Sequence, residues 1–141
     1  MKCELIFTVA DLSVVARQIL DSCQNIQVIT LSGTLGAGKT TLAIELLRQL
    51  GVQGEMQSPT YTYVQIYKNG ASKNFYHFDL YRLKNHNDFL FAGFDEFLYQ
   101  SNSLTIIEWP EIVESLFHKN VCVIHIEYVD EMTRKMSWSI K

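Results

Sequence analysis

The sequence predicts one α/β domain over residues 1–141, built on a mixed sheet with a parallel centre, antiparallel additions and helices on both faces. Three observations predict it. Strand-like and helix-like stretches alternate along the chain, the pattern of a sheet wrapped by helices. A glycine-rich turn, Gly33 to Thr40, sits between one such strand and the next helix. Two pairs of strand-like runs, around residues 61–81 and 121–140, follow one another without a helix between them, which calls for antiparallel pairing.

Taken in order, Glu4 to Val9 alternates apolar and polar and reads as a short strand. Asp11 to Cys23 carries Leu12, Val15, Ala16, Ile19 and Leu20 at helical spacing, with Asp11 or Thr8 as its cap. Gln27 to Leu31 is β-rich and runs into Ser32-Gly33. From Lys39 a helix runs to Leu50, with Leu42, Leu46, Leu47 and Leu50 on one side, and Gly51 stops it. Tyr61 to Tyr67 and Asn74 to Tyr81 flank Lys68-Asn69-Gly70, a hairpin signature. Asp88 to Tyr99 looks helical, and Leu104 to Glu108 is an apolar strand ending in an acid. Pro110 suits the first turn of a helix Glu111 to Phe117. Val121 to Val129 and Met132 to Ile140 close the chain as strands.

Composition narrows the function. Hydrophobic residues make up 48% and charged residues 19%, which is globular composition rather than disorder. The formal net charge of −3 lacks the basic excess of a chain that grips nucleic acid by itself, so contact with RNA is expected only through partners. The three cysteines are widely spaced, with no CxxC, which excludes a disulfide framework or a zinc site; Cys122 reads as a buried strand residue. No signal peptide is expected, and no apolar run approaches the roughly 18 residues that span a bilayer, so the expected location is cytoplasmic.

The chemistry sits in Gly33-Thr34-Leu35-Gly36-Ala37-Gly38-Lys39-Thr40, a complete Walker A pattern followed by Thr41. Glycines let backbone N–H groups close on phosphate oxygens, and the following helix offers its N-terminus to the anion. Lys39 brings a positive charge to the β- and γ-phosphates, and the Thr40 hydroxyl joins a Mg²⁺ shell. The expected ligands are therefore ATP and Mg²⁺ on a P-loop NTPase fold. Hydrolysis needs a further acid on the metal side and a group that orients water. Glu108, at the end of an apolar strand, is the candidate for the metal, against the alternative of a solvated strand-end acid. Asp79 lies in Tyr76-His77-Phe78-Asp79-Leu80-Tyr81-Arg82, where it either pairs with Arg82 or faces the γ-phosphate. His77 is expected to be a half-buried strand residue rather than a base. Ser58-Pro59-Thr60 is either a switch segment that senses the γ-phosphate or a capped turn.

Four segments in this order, Leu35 to Thr41, Ser58-Pro59-Thr60-Tyr61, His77 to Leu83 and Ile107-Glu108-Trp109-Pro110-Glu111, resemble the TsaE family (formerly YjeE) over nearly the whole chain. The resemblance implies the ATPase component of bacterial tRNA threonylcarbamoyladenosine synthesis, acting on a complex of TsaD and TsaB and touching tRNA only through them. It implies that Lys39 and Thr40 hold phosphate and Mg²⁺, that Glu108 is a metal-site acid, and that Asp79 is needed for hydrolysis. It places Trp109 near the nucleotide and nominates Arg134 and Thr8 as further nucleotide contacts. The sequence departs from the family pattern at Thr34, where Asp is usual, and at Thr133, where Gly is usual. Two other readings stay open on this loop. A small-molecule kinase would want a lid with clustered arginines, and Arg17, Arg48, Arg82 and Arg134 are dispersed; a nucleotide switch without hydrolysis would have little use for both Glu108 and Asp79.

Overall fold

The computed structural model describes residues 2–141. Its strands are β1 (Lys2–Thr8), β2 (Val28–Ser32), β3 (Val64–Lys68), β4 (Asn74–Asp79), β5 (Ser103–Glu108), β6 (Val121–Asp130) and β7 (Thr133–Ile140). Its α-helices are α1 (Leu12–Ser22), α2 (Lys39–Gln49) and α3 (His86–Phe91), and short 3-10 turns cover Val9–Asp11, Phe94–Phe97 and Pro110–Leu116. All the strands join one seven-stranded sheet, in the order β1-β7-β6-β2-β5-β4-β3. The centre, β6-β2-β5-β4, is parallel, while β3, β7 and β1 add antiparallel. The mixed sheet with a parallel centre is the one the sequence predicts.

The central strands are buried on both faces, as parallel strands covered by helices must be. Residues 28–31 of β2 and the whole of β5 are buried. Strand alternation deals their side chains into two cores. One core joins Ile29, Leu31, Phe75, Leu104, Ile106 and Ile124 to Val15, Ala16 and Ile19 of α1 and to Leu42, Ala43, Leu46 and Leu47 of α2. The other joins Val28, Phe78, Ile107 and Val121 to Phe89 of α3 and Val113. Here Phe78 meets Phe89, Phe94 and Phe97 at ring-centroid distances of 5.7, 5.3 and 5.8 Å. Helices thus cover both faces. Cys122 is fully buried, and all three cysteines are free.

Several elements differ from expectation for local reasons. The helix expected over Asp88 to Tyr99 is broken: α3 ends at Phe91, and Gly93 turns left-handed before the 3-10 turn. Asn85 caps α3, its side chain accepting from the Asp88 N–H. The segment Pro110–Leu116 is 3-10 rather than α. Strand β3 starts at Val64, because Tyr63 has φ +67 and its N–H bonds back to the Pro59 carbonyl. No helix among the described residues is long and apolar enough to cross a membrane.

The turn after β2 is fixed by contact as well as by torsion. Gly33 has φ +146, and a Cβ built on it would lie 2.2 Å from the Ile126 carbonyl oxygen on β6. A side chain there meets both a backbone clash and a strained torsion. Gly33→Ala is expected to lower stability by about 2 kcal/mol, read as a drop in melting temperature. Gly70→Ala, whose Cβ would meet open space, should melt close to wild type.

Candidate functional site

The site forms where the C-terminal ends of β2, β4 and β5 meet the start of α2. This is the edge of a parallel sheet where α/β proteins bind ligands. The loop after β2 bends through Gly36 (φ +82) and Gly38 (φ +106), and Gly38 caps α2 in a left-handed conformation. Burial of Leu42, Ala43, Leu46 and Leu47 pins the helix, so its first residues, Lys39 and Thr40, face the site.

Register places the acids. Asp79 on β4 sits directly beside Glu108 on β5, and Leu31 of β2 lies on the other side of Glu108. Alternation turns Phe75, His77 and Asp79 of β4, and Leu104, Ile106 and Glu108 of β5, toward the face that α2 covers. Thr40 Oγ1 donates to both oxygens of Glu108, at 2.8 and 2.9 Å. His77 Nε2 lies 2.7 Å from Glu108 Oε2. Asp79 Oδ1 accepts from the Tyr81 N–H at 3.0 Å, and Oδ2 from the Thr60 hydroxyl at 3.2 Å. Ser58 Oγ stands 2.6 Å from Thr60 Oγ1, which extends the chain of hydroxyls outward. Arg82 does not pair with Asp79; its guanidinium stacks over Tyr61 at 4.5 Å. His77 is not half-buried, as expected, but fully buried, because it faces the α2 side of a covered strand.

Lys39 is 5% exposed, and its Nζ donates to the Gly33 and Thr34 carbonyls at 2.7 and 2.9 Å. Burial pulls its pKa below the usual lysine range, while Glu108, Asp79 and Glu111 act against that shift by favouring the charged form. The same ammonium sits 4.1 Å from the centroid of the Trp109 ring. Trp109 reaches that position because its backbone is left-handed (φ +58), with its N–H bonded to the Leu31 carbonyl. A left-handed bulky residue is strained, and here the strain swings the indole across the loop.

These groups surround a cavity of about 300 Å³, lined by Leu35, Gly36, Gly38, Lys39, Thr40 and Thr41 of the loop, by Thr60, and by Asp79, Glu108 and Trp109. A smaller cavity of about 100 Å³ adjoins it across Gly38 and Thr41, walled by Phe7, Val9, Leu12, Ala37, Ile126 and Arg134. Gly33 lines neither; it contributes the carbonyl that Lys39 binds. Arg134 Nε donates to the Ala37 carbonyl at 3.0 Å, and its Nη1 donates to the Asp130 and Thr133 carbonyls, at 2.6 and 3.0 Å. Thr8 lies apart from both cavities, with its hydroxyl donated to Asp11 at 3.1 Å; its neighbours Phe7 and Val9 face the smaller one. Another cavity of about 300 Å³, beside Thr30, Phe117 and His118, involves none of the loop residues.

The donor set fits a hard divalent cation. Glu108 is 2% exposed, yet its hydrogen bonds come from Thr40 and His77, and no lysine or arginine nitrogen pairs with it among the described residues. A buried carboxylate with no lysine or arginine in direct contact is costly, and a metal ion beside Thr40 would relieve that cost.

Comparison with known proteins points one way. The family described as threonylcarbamoyl adenosine biosynthesis protein TsaE matches residues 7–136. A Haemophilus influenzae protein named tRNA threonylcarbamoyladenosine biosynthesis protein TsaE is 41% identical over 103 residues, which is 73% of this chain and 64% of the relative's own length. A Rickettsia felis protein of the same name is 34% identical over 123 residues, 86% of this chain and 70% of that one. The crystal structure of Bacillus subtilis YdiB superposes with a TM-score of 0.72 at 23% identity, covering 98% of this chain and 86% of the other, which shows a shared fold. With the family match spanning both the Walker loop and the Asp79–Glu108 pair, the chain belongs to the TsaE family.

Proposed function

We propose that this chain binds Mg-ATP on the Gly33–Thr40 loop and hydrolyses it in support of tRNA threonylcarbamoyladenosine synthesis, acting on a TsaB–TsaD complex. The observation that carries the reading is the convergence of Lys39, Thr40, Asp79, Glu108 and Thr60 on one cavity at the mouth of the loop. The pathway comes from the names of the relatives, and the partners from the resemblance to the family.

Lys39 and the N–H groups that begin α2 bind the β- and γ-phosphates, exchanging the loop carbonyls that Lys39 now holds for phosphate oxygens. Thr40 and Glu108 hold Mg²⁺. When bound, the ion would neutralise charge on the phosphates. Asp79, oriented by the Tyr81 N–H and linked to Thr60, orients the attacking water and takes up its proton as the water oxygen bonds to the γ-phosphorus and the bond from that phosphorus to the bridging oxygen breaks, releasing ADP. Thr41 continues the loop toward the smaller cavity, whose apolar walls suit the adenine ring. Trp109 covers the Lys39 side of the phosphates and shields it from bulk solvent. The Ser58–Thr60 segment forms the outer wall, and a docking partner that presses on it would complete the alignment. Slow hydrolysis by the free chain and faster hydrolysis in the complex follow from this.

Three outcomes are expected. ATP hydrolysis, measured as phosphate release, should rise on addition of TsaB–TsaD and vanish in Lys39→Ala. Absence of stimulation with nucleotide still bound would instead favour a kinase or a switch. Asp79→Asn should retain ATP binding and lose about a hundredfold in turnover, the scale of a lost general base. Trp109 emission should change when Mg-ATP is added, and Trp109→Phe should remove that change, since the other tryptophan, Trp138, is buried in the α1–α2 core. An unchanged spectrum at saturating nucleotide would place the phosphates elsewhere.

A further inference from the structure

Glu108 is gripped from inside the protein as well as from the loop. His77 lies on β4, two residues before Asp79 and on the same face of the strand. It is completely buried and is not among the residues that line the cavity. Its Nε2 lies 2.7 Å from Glu108 Oε2, and its Nδ1 has no hydrogen-bond partner.

An ionised carboxylate offers only acceptors, so the 2.7 Å contact is a hydrogen bond donated by Nε2. The unpartnered nitrogen also argues against packing as the reason for a histidine here. Its strand neighbours Phe75 and Ile106 are fully buried, and a leucine or phenylalanine would fill the space without stranding a polar atom. What the ring adds is a hydrogen bond at the acid.

We propose that His77 is a positioning residue for the metal-side acid. Through its Nε2–H it donates to Glu108 Oε2 and holds the carboxylate where Thr40 also meets it. The role rests on the assignment of Thr40 and Glu108 to Mg²⁺. A ring N–H suits that role: it fixes the direction of the carboxylate, where a lysine ammonium at the same place would compete with the ion. Carboxylates that bind metals are commonly oriented by such outer hydrogen bonds.

Two measurements test this. In metal-free protein labelled with ¹⁵N at histidine, His77 should carry a proton on Nε2, with a resonance shifted downfield by the short contact; an Nε2 without a proton would overturn the proposal. The second is a Mg²⁺ titration of nucleotide binding, followed by Trp109 emission, in wild type, His77→Gln and His77→Asn. The glutamine amide reaches the position of Nε2, and the shorter asparagine amide does not. Both introduce a polar amide into the same buried place, so a loss through packing alone would be shared. His77→Asn should raise the half-saturating Mg²⁺ concentration about 10- to 100-fold, while His77→Gln stays close to wild type and nucleotide affinity without Mg²⁺ is unchanged in both. Equal behaviour of the two variants would overturn the role of His77 alone. A wild type whose nucleotide binding ignores Mg²⁺ would overturn the metal assignment, and this role with it.

Discussion

The arrangement turns on one buried carboxylate. Glu108 ends a strand whose every residue is out of solvent, and the chain must satisfy it there. Two elements do so: Thr40 arrives from the first turn of α2 and His77 from β4, while the Leu80 N–H satisfies the Glu108 backbone carbonyl. Each contact needs the parallel β2-β5-β4 register; a one-residue slip would turn Glu108 to the opposite face and bring an apolar side chain to Thr40. The acid is therefore both the reason the site has its geometry and a check on the pairing of the sheet.

The two cores serve this arrangement in different ways. On the α1–α2 side, aliphatic packing fixes the axis of α2 and hence the direction of its N-terminus. On the far side, Phe78 gathers Phe89, Phe94 and Phe97 and anchors β4 between Asp79 and the hairpin with β3. Alternation along β4 lets one strand carry both jobs, with Phe78 facing one core while His77 and Asp79 face the site.

Much of this was legible in the sequence, because the strongest signals are local. The Walker loop, its strand and its helix follow from spacing and glycine placement, and Glu108 from an acid ending an apolar run. The antiparallel additions follow from paired strands with no crossover helix. What was not legible depends on contacts distant in sequence. The segment 88–99 carries helical periodicity, yet Phe94 and Phe97 pack on Phe78 from a 3-10 turn, and Gly93 permits the break. Arg82 lies near Asp79 in sequence, but the turn after β4 points it to Tyr61 instead. The burial of His77 was the hardest to read. A signal existed, since period two puts residues 77 and 79 on one face, but its weight appears only once Glu108 stands beside it.

Gly33 gives the site a mechanical asymmetry. Its close approach to the Ile126 carbonyl clamps the base of the loop to β6, and the bond from Arg134 to Ala37 clamps the top to β7. The loop wall is thus held against the sheet at two points. The facing wall, residues 58–63, is tied down by the Thr60 hydroxyl and by backbone bonds of Tyr63, with Tyr61 largely exposed. With ATP in the cavity as proposed, any rearrangement that follows the γ-phosphate would fall to that lighter wall, and would reach the surface on the side where Tyr61 and Arg82 stand in solvent.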